Sequence, residues 1–434
     1  MASPTTSASE SMQQEPSAQQ SNKPKQPQRK HDRLITRDMA LVMLATFCFM
    51  SSNMLANPIV AGYAESLGAS GMLMGVVAGS MSFISLFCRP IAGNLSDRTS
   101  KRTLVAVGTV LYFAAGLLYY FANSPIMLIM ARVINGVGFA CCSVCLATWM
   151  SLLLPIRHMG AGMGLYGTMN ALAMAVGPAL GIRAQKYIGY RLTFLSSLVL
   201  AVIMLIATLM VKNGGQPVRK KQTSITENPP TAVDIDGSAS ATKKHRFSIR
   251  SILEPRVVPL SLTFMMFAIA YFANQSFIVS YVQSRHLPVS SDLFFMFYAV
   301  ALLVLRLGLR DLFDSKGFRF WLTVCSLGML AMLACMTFLF NDWMLLLAAI
   351  FTAVGYGLMS SVTQAQAMVI AGRERSGIAN GTYYAGIDLG MSVGPFVGGL
   401  VYGRLPVVWF YPVFMLAMPV AWLIYLLCVK RVSW

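Results

Sequence analysis

The chain has 434 residues, of which 56% are hydrophobic and only 12% charged, too little polar surface to cover a water-soluble core of that size, so lipid must be its solvent. The formal charge of +18 would suit a nucleic-acid partner, but the basic residues concentrate on one side of the apolar runs, which points to membrane topology instead. Those runs hold a single deep carboxylate and no His, so the convergent acids, bases or metals that an enzyme requires are missing.

Residues 1–37 are rich in Ser, Gln, Pro and Lys and carry no short apolar core with a small-residue cleavage site; they read as a disordered cytoplasmic tail. Crossing a bilayer as helix takes about 20 apolar residues. Twelve such runs follow, near 38–62, 71–94, 103–122, 125–149, 160–182 and 190–211 in an N-terminal half (38–212), and near 257–281, 291–313, 319–340, 343–370, 376–401 and 406–429 in a C-terminal half (256–429). Residues 213–255 form a Ser-, Thr-, Pro- and Lys-rich cytoplasmic linker, and residues 430–434 a short cytoplasmic tail.

With the N-terminus inside, 28 of the 34 Lys and Arg fall on cytoplasmic segments and five on external loops (Arg183, Lys186, Arg191, Arg285, Arg404), while Arg132 lies within a run. An even number of spans places both termini in the cytoplasm. Trp149, Trp321, Trp343 and Trp409 fall at span ends and are expected to rest at the headgroup level. The Cys141-Cys142-x-x-Cys145 cluster has no His or acid on its helix to complete a metal site, so packing is the preferred reading and no metal is expected.

A constant offset of 217 residues relates the halves: Arg89, Asp97, Gly164, Gly177-Pro178 and Gly181 recur as Arg306, Asp314, Gly381, Gly394-Pro395 and Gly398. Parallel six-helix halves are a transporter plan, in which a solute moves rather than reacts.

The loop after the second run reads Arg89-Pro-Ile-Ala-Gly93-Asn-Leu-Ser-Asp97-Arg98-Thr-Ser-Lys101-Arg102. With the duplication, it resembles the cytoplasmic loop signature of the major facilitator superfamily, matched at Gly93, Asp97, Arg98, Lys101 and Arg102 and departing at Ser100, where the family has Gly. The resemblance implies an all-α membrane fold of twelve helices in two six-helix halves, and a loop that latches the cytoplasmic side shut. Gly admits close helix approach, and an acid can sit against the positive N-terminal end of a neighbouring helix. The second copy keeps Arg306, Asp314 and Lys316-Gly317, but Arg310 replaces the first Gly, so its latch is expected to be weaker.

The fourth run, with Arg132, Asn135 and Gly136, resembles the Arg-x-x-Gln-Gly signature of proton-coupled members, Asn135 standing for Gln. An Arg at that depth is costly unless paired or hydrated, which favours function; snorkelling to the external face is the other reading. The eleventh run, Gly381, Gly390, Gly394-Pro395, Gly398-Gly399, matches the signature of the antiporter branch, and the fifth keeps Gly164, Gly177-Pro178 and Gly181 but departs at Ala173 and Ile182. These positions are expected to bend helices at close crossings.

Asp388 lies twelve residues into the eleventh run, six before Gly394. A carboxyl there must be neutral, paired or hydrated, so Asp388, with Arg132, is the candidate for proton coupling. Asn53, Asn57, Asn135, Asn170, Asn274, Gln275, Tyr383 and Tyr384 could line a central cavity or make packing hydrogen bonds, and Asn57 and Asn274 share the 217 offset. The expected protein is a monomeric proton-driven exporter of a small amphipathic drug or metabolite, in a bacterial-type plasma membrane. Its expected partners are that substrate and lipid; it needs no cofactor beyond the coupling proton. A sugar or nutrient carrier of the same superfamily, or a membrane sensor without transport, are the alternatives.

Overall fold

Backbone dissolved in lipid must satisfy its own hydrogen bonds, and the apolar runs do so as helices. The computed structural model describes residues 36–154, 159–212, 215, 253–309, 312, 316–372 and 375–428. Its elements are α1 Arg37–Ser66, α2 Gly71–Arg98, α3 Lys101–Phe121, α4 Pro125–Leu153, α5 Met159–Met210, α6 Val258–Ser284, α7 Ser291–Gly308, α8 Phe318–Thr337, α9 Asp342–Thr352, a π turn Ala353–Leu358, α10 Met359–Ala371, α11 Ser376–Arg404, a 3-10 turn Val407–Trp409, α12 Phe410–Met415 and α13 Ala417–Cys428. Short polar residues set the starts: the side chains of Thr36, Ser70, Ser124 and Asn341 accept hydrogen bonds from the backbone N–H three residues on, at 3.3, 3.4, 3.4 and 2.9 Å.

Among the described residues ten helices are long and apolar enough to cross a membrane. The longest, α5, has 52 residues and breaks at Gly189, whose φ of 74° favours glycine. That break falls between the fifth and sixth expected runs. The tenth run is interrupted by the π turn, and the twelfth is divided among a 3-10 turn, α12 and α13. Helix α7 ends at Gly308, short of the expected 313; Arg310 and Asp314 lie outside the described residues.

Two helices form the centre. Every residue of α1 from Ser51 to Ala64 is buried, as is every residue of α6 from Ala270 to Val282. The periphery is lipid-facing, with Val110 and Phe121 on α3, Val300 and Val304 on α7, and Leu426 and Leu427 on α13 all exposed. The duplication is visible as repeated crossings: a Cβ at Gly177 would sit 2.9 Å from Ser51 O in the α1/α5 contact, and one at Gly394 would sit 2.5 Å from Ile269 O in the α6/α11 contact. Pro178 lies inside α5 and Pro395 inside α11, as Pro58 and Pro90 lie inside α1 and α2.

Two of the four span-end tryptophans do not reach the surface. Trp343 and Trp409 are exposed at helix starts, but Trp149 and Trp321 are fully buried in the bundle. A position near a span end decides depth, while the direction in which the helix faces decides whether the ring meets lipid or protein.

Candidate functional site

Helices α2 and α11 cross between the two halves, and glycines set how closely. At the end of the bundle near Gly68, a Cβ on Gly71 would lie 2.6 Å from Gly403 Cα, one on Gly75 2.5 Å from Pro395 O, and one on Gly79 2.6 Å from Ser392 O. The four-residue spacing of these glycines puts them on one face of α2, so the seam closes backbone against backbone. Beside it the Tyr402 hydroxyl lies between Glu65 Oε1, at 3.1 Å, and Ser284 Oγ, tying α11 to α1 and α6. This end is shut.

Further along the same seam, the Arg89 Nη2 donates to Asp388 Oδ1 at 3.1 Å, and Nε lies 2.5 Å from Oδ2. The Asp388 side chain is 1% exposed and that of Arg89 21%. The rings of Phe139 and Tyr384 flank the guanidinium, 5.4 and 5.8 Å from its carbon. Arg89, grouped by sequence with the latch loop, is therefore inside α2. It pairs the deep carboxylate of the opposite half.

Arg132 makes different contacts. Its Nε donates to Val77 O at 3.2 Å, and its Nη2 to Ala78 O at 2.7 Å and to Asn57 Oδ1 at 3.1 Å. It is 2% exposed, so it does not snorkel, and none of these partners is an acid. The geometry is a clamp joining α4 to α2 and α1. Arg132→Lys, which cannot reproduce the planar fork, should lower the thermal stability of the purified protein by about 1.5–3 kcal/mol equivalent while leaving the pH profile of transport in place. A shifted profile at unchanged stability would return Arg132 to the coupling machinery.

The remaining latch positions are distributed. Gly93, Asp97 and Arg98 fall in the last turns of α2; a Cβ on Gly93 would meet open space, so no close approach occurs there. Lys101 is 2% exposed, and Arg102 donates through Nη2 to Val211 O at the end of α5, within its own half. Asp314 lies outside the described residues. Of the bend positions, Gly181 and Gly390 also meet a neighbouring helix, at Leu55 O and Ala268 Cβ, and Gly399 packs on α2 at Gly75. Gly398 meets the Phe277 ring, Gly381 meets nothing within 4 Å, and Gly164 lies within α5.

The expected cavity residues divide by what they touch. Asn57 and Asn274, the symmetric pair, make packing bonds: Asn57 accepts from Arg132, and Asn274 accepts from Tyr411 at 2.9 Å. Asn170 donates to Tyr166 O at 3.1 Å, and Tyr383 donates to Ser360 O at 2.9 Å. Asn53, Asn135 and Gln275 retain buried amide atoms without a partner, and Tyr384 faces Arg89. The α2 glycine face was missed by the sequence reading, although its four-residue spacing was there to see.

The family model described as Major Facilitator Superfamily matches residues 42–342 and 317–434. The chain belongs to the Major Facilitator Superfamily. It is a multi-pass membrane transporter. This facilitator is 22% identical over 380 residues to an uncharacterized MFS-type transporter of Methanocaldococcus jannaschii, covering 86% of this chain and 92% of the relative. It is 23% identical over 390 residues to the staphylopine export protein of Staphylococcus aureus, covering 85% and 90%. A 169-residue stretch is 32% identical to an SPX domain-containing membrane protein of Arabidopsis thaliana, 38% of this chain but only 24% of that protein. In fold it is similar to the nucleoside transporter NupG, with a TM-score of 0.70 at 12% identity over 90% of this chain and 99% of that one. It is equally similar to a POT family transporter in complex with 5-aminolevulinic acid, with a TM-score of 0.71 at 11% identity over 91% and 96%.

Proposed function

We propose that this facilitator exports a small amphipathic drug or metabolite in exchange for protons, by alternating access, from a bacterial-type plasma membrane. The Arg89–Asp388 pair carries the reading: it joins a buried carboxylate to a partly buried guanidinium between helices of opposite halves, on the seam that must open and close. A guanidinium keeps its charge, whereas a carboxylate can take up one proton. Charged, Asp388 ties α11 to α2; protonated, it gives up the charge attraction that holds the seam. The staphylopine relative is named as an exporter, which supports the direction.

Dividing α5 at Gly189 and adding α7 to the ten long apolar helices supports a count of twelve passes. With the basic residues inside, the Gly68 end then faces outward and both termini face the cytoplasm. On this reading, closure at that end with Asp388 in its ion pair belongs to the cytoplasm-facing state after proton release. The path needs one copy of the chain, no cofactor, and the proton as coupling ion.

Proteoliposomes holding a pH-sensitive dye under an imposed gradient should lose that gradient on addition of compounds that raise the melting temperature of the protein. In intact cells expressing a Cys-free version of the protein, cysteines replacing Ser70 and Asn341 should label from outside and one replacing Thr99 should not. A gradient indifferent to every such compound would overturn proton exchange, and a reversed labelling pattern the orientation.

A further inference from the structure

Two aromatic rings hold the Arg89 guanidinium, and they belong to different halves. Its carbon lies 5.4 Å from the centre of the Phe139 ring on α4 and 5.8 Å from that of the Tyr384 ring on α11. Arg89 and Phe139 sit in the N-terminal half, Tyr384 and Asp388 in the C-terminal half. When the seam between α2 and α11 parts, Tyr384 and Asp388 leave together and Phe139 stays with Arg89.

The Phe139 ring is fixed by its surroundings. Helix α4 is wedged between its neighbours: a Cβ on Gly136 would lie 2.5 Å from Met81 O of α2, and one on Gly138 would lie 3.0 Å from Gly108 O of α3. The ring itself is 1% exposed and stacks on Phe49 at 5.4 Å, while Tyr112 meets Phe49 edge-on at 5.8 Å. Arg89 is less confined, and a guanidinium with 21% of its side chain open could turn to water once its carboxylate is neutralised. A ring face attracts a cation whether or not the carboxyl beside it carries a proton.

We propose that Phe139 is a positioning residue for proton release: its ring keeps the Arg89 guanidinium beside Asp388 while the carboxyl is protonated, so that the nearby charge drives the proton off again. A positive group held close favours the ionised carboxyl, and one free to swing into water does so less. Of the helices packed on α11, α2 brings Arg89, while α6 and α10 carry no Asp, Glu, Lys, Arg or His; on α11 itself Tyr384 lies one turn from Asp388. The assignment rests on the proton-exchange reading, since it gives one step of that exchange to a residue.

Infrared titration of the full-length protein in lipid vesicles reads the carboxyl directly, through the protonated C=O band that Asp388→Asn removes. Trifluorinated phenylalanine at position 139 keeps the shape of the ring and withdraws negative charge from its face. The pH at which the band appears should then rise, by roughly threefold or more in proton affinity, and Phe139→Leu should raise it further. The same fluorination at Phe49, whose ring meets Phe139 rather than the guanidinium, should leave it in place. An unmoved or lowered midpoint in either Phe139 variant, an equal shift from fluorinated Phe49, or no titrating band that depends on Asp388 would overturn the positioning role. Efflux is measured separately: a midpoint that depends on Phe139 in a protein that exchanges no protons would end the antiport reading and leave the positioning standing, whereas antiport with an indifferent midpoint would end the positioning alone.

Discussion

Asp388→Asn should reduce pH-gradient-driven efflux in proteoliposomes to the level of protein-free vesicles, while substrate binding is retained. Asn keeps the size and hydrogen-bonding capacity of the carboxyl but cannot take up and release a proton. The substitution also leaves Arg89 without its charge partner. Arg89 is only partly buried, so the loss falls short of that for a fully buried pair, but a lower melting temperature is expected as well. The double variant Arg89→Gln/Asp388→Asn separates the two effects, because a neutral pair can hydrogen-bond without desolvated charge. It should recover stability yet stay uncoupled. Uphill efflux at the wild-type rate in Asp388→Asn would end coupling through this carboxyl.

Gly75→Val should hold the Gly68 end open. The added Cβ would meet Pro395 O at 2.5 Å and Gly399 Cα at 2.9 Å, and backbone cannot move aside as a flexible side chain can. Each half keeps its own packing, so the protein should still insert, but the two halves cannot meet along α2 and α11 and transport should be lost. Ser280 of α6, near Gly62, is 1% exposed with the seam closed. A single cysteine at that position in a Cys-free background should be inert in the parent and reactive from outside in Gly75→Val. Wild-type transport with an inert cysteine would show that this contact is not required for closure.

Much of the fold was legible because lipid imposes one rule on every run. A stretch of about 20 apolar residues has no choice but helix, so the runs, the gap between the fifth and sixth of them and the 217-residue repeat could all be read along the chain. Burial of two charges was legible as well: counting residues from a span end singled out Asp388 and Arg132, and both are buried. Direction around the helix axis was not. Trp149 and Trp321 face inward although their sequence positions match those of the exposed Trp343 and Trp409. The central helices α1 and α6 are apolar or small on nearly every face, so periodicity carries little information about which neighbour each face meets.

What the sequence by itself determined was the class, the repeat and the short set of charged residues too costly to bury without a purpose. Partnership belonged to the tertiary structure. Arg132 and Asp388 looked like a coupled pair because both are deep, but Asp388 meets Arg89, 299 residues away, and Arg132 meets carbonyls of α2. A charge in lipid must find a partner, which the composition states; which partner depends on where two halves cross, and that is settled by the glycine faces of α2 and α11 packing backbone to backbone.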